Sequence, residues 1–423
     1  MTGRLHTLLG AALLAATLVN TAVAQHSPVA AAPGGPTGAR SRGLVRDSAN
    51  VIRDPHHTLD TLFNRLATLR ESDPGTVSIL HLGDSHIQGG YLTGRTRAEL
   101  QRVFGNAGRG LIVPLRLCRT NEPTGYGIAS PNVWSGSRLT QASPAWTPGI
   151  GGIALAGERC PVSFLITTPA DDPFCCVTVF HHPEAPMLLP PAGLDPGTYC
   201  PDGNTATRTV IPLAHSTDSL LLGSCADTAF NTPVFYGFSL ENGRPGLLYH
   251  SSGINGASFG HFLSNPELVR QTAELAPGLI VVSLGTNDAL GSRFSAEQLY
   301  AQIDMLAGSL QAANPGVPIL LTTPMEIGQR RRVRGRTTWS VCPGIGKVRD
   351  VILRVARDRR LAVWDLYATT GGSGANARWR EAGLVRADRV HLTVEGYELQ
   401  GTLLSEAILR AYDKYLKRRN PNG

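Results

Sequence analysis

Five residues in this chain have the types and settings needed for nucleophilic acyl transfer. Ser85 closes the string Val77-Ser78-Ile79-Leu80-His81-Leu82-Gly83-Asp84-Ser85, in which an apolar run meets Gly-Asp. A serine hydroxyl is a weak nucleophile until a base takes its proton. The segment Asp388-Arg389-Val390-His391 supplies a base. On a turn, residues three apart can meet side by side, so the carboxylate would hold the imidazole Nδ1–H and stabilise the imidazolium. Gly256, in Gly253-Ile254-Asn255-Gly256-Ala257, is placed to offer a backbone N–H, and Asn287, in Gly285-Thr286-Asn287-Asp288, a side-chain NH2. With the Ser85 N–H they would form an oxyanion hole of three donors, each worth about 10²–10³ in rate. Gly253 is a second candidate for the place of Gly256, and Asp365 a rival to Asp388.

The elements that must position these residues follow from periodicity. Val77–Leu82, Leu279–Leu284, Val317–Leu321 and Leu361–Leu366 read as short apolar strands. Residues 58–71, 93–104, 296–313, 347–357 and 394–416 have helical spacing of apolar positions. Apolar strands alternating with helices predict an α/β fold, a parallel sheet covered on both faces. Ser85 then sits at the carboxyl edge of that sheet, where open α/β sheets bind their ligands. From about Arg116 to Tyr249 the pattern changes to β-type runs, such as residues 162–166, 176–180, 207–213 and 234–240, broken by Pro, Gly, Asp and Asn. This stretch predicts an inserted all-β, sandwich-like domain. The expected organisation is a signal peptide over 1–24, a linker over 25–45, a catalytic domain split into 46–115 and 250–417 around the insertion 116–249, and a tail over 418–423.

In order and context, the four blocks Gly83-Asp84-Ser85, Gly256, Gly285-Thr286-Asn287-Asp288 and Asp388-x-x-His391 resemble the SGNH hydrolases, also called the GDSL esterase family. The resemblance spans about residues 77–114 and 251–416. It implies a three-layer α/β/α flavodoxin-like hydrolase domain. His86 departs from the common pattern, which has Leu there. The longer string from His81 to Gln88 is similar to a bacterial branch that includes peptidoglycan O-acetylesterases and carries a carbohydrate-binding-like β module between the first and second blocks. The implied substrate is O-acetylated peptidoglycan, attacked through an acyl-serine intermediate with no metal or organic cofactor. The alternatives are a deacetylase of another acetylated polysaccharide, an O-acetyltransferase with the same triad, and a non-catalytic glycan-binding protein.

Other features bound this reading. Asp84 is expected to shape the nucleophile turn, and His86 either lines the site or packs as a satisfied core residue. Arg330, Arg331, Arg332, Arg334 and Arg336 follow a strand and fall in a loop at the Ser85 edge. Either they are a solvated loop or a rim for an anionic substrate, since arginine pairs bidentately with carboxylates. Trp134, Trp146 and Tyr126 have the chemistry to stack on sugars, though core packing is the expected fate of each. His56-His57 and His181-His182 lack companion ligands at metal-site spacing, and the cysteines lack paired C-x2-C spacing, so no metal is expected. Arg4, the apolar run 8–19 and Ala22-Val23-Ala24 form an export signal, too short to span a membrane, and no later run is long enough. In the periplasm or outside the cell, Cys118, Cys160, Cys175, Cys176, Cys200 and Cys225 become disulfide candidates, with Cys342 the odd thiol. A net charge of +7 over 423 residues, without a Lys/Arg-rich helix, points to no nucleic-acid partner.

Overall fold

The computed structural model of the chain describes residues 43–71, 75–190, 197, 203–224, 232–291, 294–333 and 336–420. The leader, most of the linker, Cys200, Cys225 and Arg334 lie outside the described residues.

A six-stranded sheet organises the catalytic part. Its strands are β1 (Ile52–Arg53), β2 (Thr76–Gly83), β3 (Gly246–Gly253), β4 (Pro277–Ser283), β5 (Ile319–Thr322) and β6 (Ala362–Trp364). They lie in the order β1-β6-β5-β4-β2-β3. All neighbours are parallel except β1, which pairs antiparallel with β6 at the edge. Leaving β1 aside, this is the doubly wound order 2-1-3-4-5 of flavodoxin-like folds, whose ligand crevice opens where the winding reverses, here between β2 and β4.

Alternation along the strands divides the apolar residues between two faces. Val77, Ile79, Leu279, Val281, Leu320 and Trp364 pack under helices α1 (Asp60–Glu71), α2 (Tyr91–Phe104) and α5 (Val394–Arg419). Leu80, Leu82, Ile280, Val282, Leu321 and Val363 pack under α3 (Ala296–Ala313) and α4 (Gly344–Asp358). The period of two in a strand makes this division, and burial on both faces explains why the strands read as unbroken apolar runs.

The inserted region is antiparallel. One sheet runs through Arg208–Thr217, Phe174–His181, Val234–Glu241, Ile153–Gly157 and Trp134–Arg138; the other through Gly127–Ala129, Ser163–Thr167, Ser219–Ser224 and Leu188–Leu189. Their core, including Phe164, Phe235 and Phe238, is continuous with the α3/α4 face of the catalytic sheet. Trp134 is part of it, stacked on Phe164 at 4.8 Å.

Four expectations are corrected. The sheet takes up the chain again at Gly246, inside the expected insertion 116–249, because β3 runs in register beside β2 from Gly246↔Thr76 to Gly253↔Gly83. Conversely, Gly110–Ile112, expected in the catalytic part, pairs with Val234–Glu241 of the sandwich. Leu361–Leu366 is a strand only over Ala362–Trp364, because the Asp365 carboxylate accepts the Ala368 N–H and starts the helix Leu366–Thr369. The arginine-rich segment is a β-hairpin, Gly328–Val333 on Arg336–Val341, because Thr337, Thr338 and Trp339 pair across from three arginines. No disulfide joins Cys118, Cys160, Cys175, Cys176 and Cys342 to one another. The buried Cys118 and Cys342 thiols point to the Ser137 and Ala289 carbonyls at 3.7 and 3.6 Å.

Candidate active site

The nucleophile turn is built by backbone economy. Gly83 ends β2 where an added Cβ would stand 2.2 Å from Ile87 Cγ1 and 2.9 Å from the Ser283 carbonyl, so only glycine lets the chain turn there. Asp84 caps the short helix Ser85–Gln88, its Oδ1 accepting the His86 N–H at 2.9 Å. Ser85 is thereby presented at the carboxyl edge of the sheet, half-buried.

The structure brings Ser85, His391 and Asp388 into one line. Ser85 Oγ lies 2.9 Å from His391 Nε2, and His391 Nδ1 lies 2.8 Å from Asp388 Oδ2. The other carboxylate oxygen accepts the Val390 and His391 N–H groups at 3.0 and 2.9 Å. This turn is tight enough to hold Arg389 in the left-handed region, at φ 56°. Burial opposes the Asp388 charge, but the hydrogen bonds from the His391 ring and the two amides outweigh it and hold the carboxyl below the usual aspartate range. With Nδ1–H donated to Asp388, Nε2 is left as the acceptor for the Ser85 hydroxyl. Asp365 plays no part here, since Arg349 and Thr323 occupy its carboxylate.

Asn287 sits in the first turn of the helix Thr286–Leu290, just after β4. Its Nδ2 donates to the Ala257 carbonyl at 2.8 Å and reaches Asp84 Oδ2 at 3.5 Å, which ties the third block to the first and second. Gly256 lies on the loop after β3 at the same edge, exposed and at φ +80°. Two buried carboxyls stand behind this arrangement. Burial pushes Asp84 up to about 7. Burial first, then the Asp84 charge, does the same to Asp288.

His86 turns its ring to its neighbours: Nδ1 lies 3.0 Å from the Tyr397 hydroxyl, and the ring is 5.4 Å from that of His391. Burial, then the nearby His391, push its pKa down to about 3, so it is neutral. Arg330, Arg331 and Arg332 are on the exposed hairpin, which is pinned to the catalytic loop. Gly328 N–H donates to the Arg389 carbonyl at 2.7 Å, and the Arg389 guanidinium covers Trp339 at 4.8 Å. Among the described residues, no group of three or more His, Cys, Asp or Glu could hold a metal ion.

Two supports were invisible in the sequence. Buried Gln88 accepts the Asn255 N–H at 2.6 Å and donates to the Asn121 carbonyl at 2.8 Å, fixing the Gly256 loop to the segment that leads into the sandwich. Behind the nucleophile, His81 bridges Tyr249 Oη at 2.8 Å and Ser283 Oγ at 2.6 Å, and Thr322 extends the chain to Ser283 at 2.8 Å. No local pattern marks either network, because each joins residues from separate strands.

A doubly wound sheet with a serine, histidine and aspartate in line at its switch point, beside an asparagine and a glycine loop, defines an ester-bond hydrolase of the SGNH type. Residues 218–399 match the model of the GDSL-like Lipase/Acylhydrolase family. The match holds the Gly256, Asn287 and His391 blocks; the Ser85 block lies upstream, separated by the insertion. Among solved structures, a peptidoglycan O-acetylesterase is 19% identical, with 86% of this chain and 99% of that one aligned at a TM-score of 0.71. A GDSL-like lipase from Bacteroides thetaiotaomicron is 21% identical over 38% of this chain and 76% of its own, at a TM-score of 0.30. A lipase/acylhydrolase from Enterococcus faecalis is 20% identical over 39% and 77%, at 0.29. None of the curated proteins matches the chain in sequence. Among the described residues, no helix is long and apolar enough to cross a membrane.

Proposed function

We propose that the protein is an exported serine esterase that removes O-acetyl groups from peptidoglycan. The observation that carries the reading is the unbroken hydrogen-bonded line from Ser85 through His391 to Asp388. The fold shared with a peptidoglycan O-acetylesterase over nearly the whole of that protein supports the substrate class. So does the openness of the site: the His391 and Asp388 side chains are 35% and 50% exposed, within reach of a polymer. The leader read in the sequence supports export.

In the first step Ser85 Oγ attacks the acetyl carbonyl while His391 Nε2 takes its proton, and Asp388 stabilises the imidazolium. The developing oxyanion is held by the N–H groups of Ser85 and Gly256 and the NH2 of Asn287. His391 then returns the proton to the sugar oxygen as it leaves. A water deprotonated by His391 attacks acetyl-Ser85, and acetate departs with the serine restored. The test is acetate release from O-acetylated peptidoglycan by the wild type and Ser85→Ala. Release that falls by about 10⁴-fold or more in the variant is expected. A folded wild type that releases no acetate from this polymer refutes the substrate.

A further inference from the structure

Gln88 ties the nucleophile helix to the loop that carries Gly256. The helix Ser85–Gln88 has the nucleophile at one end and Gln88, 2% exposed, at the other. Strand β3 ends beside it at Gly253, where an added Cβ would stand 2.3 Å from the Gln88 backbone nitrogen, so glycine alone permits the approach. Asn255, two residues on, is thereby brought within reach of the Gln88 carboxamide.

The loop is a tight turn, closed by the Ala257 N–H on the Ile254 carbonyl at 3.0 Å. Its central residues are Asn255 and Gly256. Gly256 has φ +80° and Asn255 stays outside the left-handed region, which is the type II form. Space does not demand this, since a Cβ on Gly256 would meet only Thr140 Cγ2 within 4 Å, at 3.9 Å. Type I and type II turns differ in the direction of the peptide between the two central residues. Here that peptide is Asn255–Gly256, and it carries the Gly256 N–H, which has no partner among the described residues. A glycine at this place accepts both forms, so the turn by itself does not fix which way the N–H points.

Gln88 supplies what the turn lacks. Its Oε1 accepts the Asn255 N–H at 2.6 Å. Its Nε2 donates to the Asn121 carbonyl at 2.8 Å and to Asn121 Oδ1 at 2.9 Å, and Asn255 Nδ2 donates to the same Oδ1 at 2.6 Å. Three carboxamides thus close a ring in which every bond runs from an N–H to an oxygen. Asn255 is gripped by both its backbone and its side chain, immediately ahead of the peptide in question. Asn121 belongs to the insertion, just before the sandwich strand Gly127–Ala129.

We propose that Gln88, anchored by Asn121, is a positioning residue of the oxyanion hole, holding the Asn255–Gly256 peptide so that the Gly256 N–H faces the acyl group on Ser85. The insertion then takes part in the chemistry, because it supplies the anchor. The inference rests on the serine-esterase part of the functional reading and on no particular acetylated polymer.

The test uses the full chain and 4-nitrophenyl acetate, with a melting temperature for each variant. Gln88→Ala frees the peptide without deleting its N–H, so kcat should fall about 10- to 100-fold, short of the loss of a whole donor, with KM within about twofold of the wild type. Asn121→Ala leaves the Gln88–Asn255 bond and should lower kcat about three- to tenfold. The two losses should not multiply in the double variant, since both act on one peptide. Should Gln88→Ala not fold, the exposed Asn121→Ala alone decides. A folded Gln88→Ala with unchanged kcat, a loss carried by KM, a lowered melting temperature as the only change, or an unchanged Asn121→Ala would each overturn the proposal while the wild type stays active. A wild type that neither turns over 4-nitrophenyl acetate nor is labelled by a serine-directed organophosphonate would overturn the esterase reading, and the proposal with it.

Discussion

Asn287 has two neighbours that fix where its amide points, the Ala257 carbonyl and Asp84. The short bond to Ala257 uses one N–H, and the second, held only loosely by Asp84 at 3.5 Å, is the one that turns to the oxyanion. Asn287→Ala should therefore lower kcat about 10²–10³-fold and leave KM for 4-nitrophenyl acetate near the wild-type value. An equal loss carried by KM would contradict an oxyanion role. The buried carboxyls add a pH signature. Asp288 titrates near 7 when folded against an ordinary 3.8. Between these values the unfolded chain releases its proton first, so the Asp288 contribution to stability is full below about pH 4 and is lost as pH rises toward 7. Asp288→Asn keeps an oxygen for the Phe259 N–H and removes the ionisation. Its melting temperature should fall less steeply than the wild type's between pH 5 and 8; an unchanged slope would exclude Asp288 as the source.

At the scale of elements, the hairpin Gly328–Val341 is the clearest addition to the sheet edge. It carries Arg330, Arg331, Arg332 and Arg336 and no acidic residue, and Arg389 joins it to the loop that holds His391. Guanidinium groups on an exposed strand pair suit carboxylates of a polymer lying across the edge. Replacing Arg330, Arg331 and Arg332 together by Ser should raise KM for acetylated peptidoglycan by about three- to tenfold, each exposed pair being worth under about 1 kcal/mol. Hydrolysis of 4-nitrophenyl acetate should not change. A polymer KM that stays put would mark the hairpin as a solvated element only.

For the molecule as a whole, the sandwich is not an appendage. Phe235 packs edge-on against Trp134 and Phe164 at 6.2 and 5.3 Å, inside an apolar core that runs unbroken into the α3/α4 face of the catalytic sheet. Such a shared core couples the two units in unfolding. Phe235→Ala should cost about 3–5 kcal/mol and lower a single transition, seen alike by calorimetry and by loss of esterase activity. Two separate transitions, with only the first displaced, would show that the units unfold independently.

Much of this architecture is local and was therefore readable along the chain. The β-to-α rhythm, the helix Ala296–Ala313 and the turn residues around Ser85 and Asp388 depend on periodicity and on contacts a few residues apart. The Asp388–His391 pair was legible for that reason, three residues apart on one turn. What only the tertiary structure decided involves partners far apart in sequence. The run Gly246–Gly253 looks like its sandwich neighbour Val234–Glu241, and only its parallel register with β2 assigns it to the catalytic sheet. Gln88 meets Asn255, and His81 meets Tyr249 and Ser283, across 167 residues or more. The partner of a buried polar group is chosen by how strands stack, and a sequence records the group without recording the stacking.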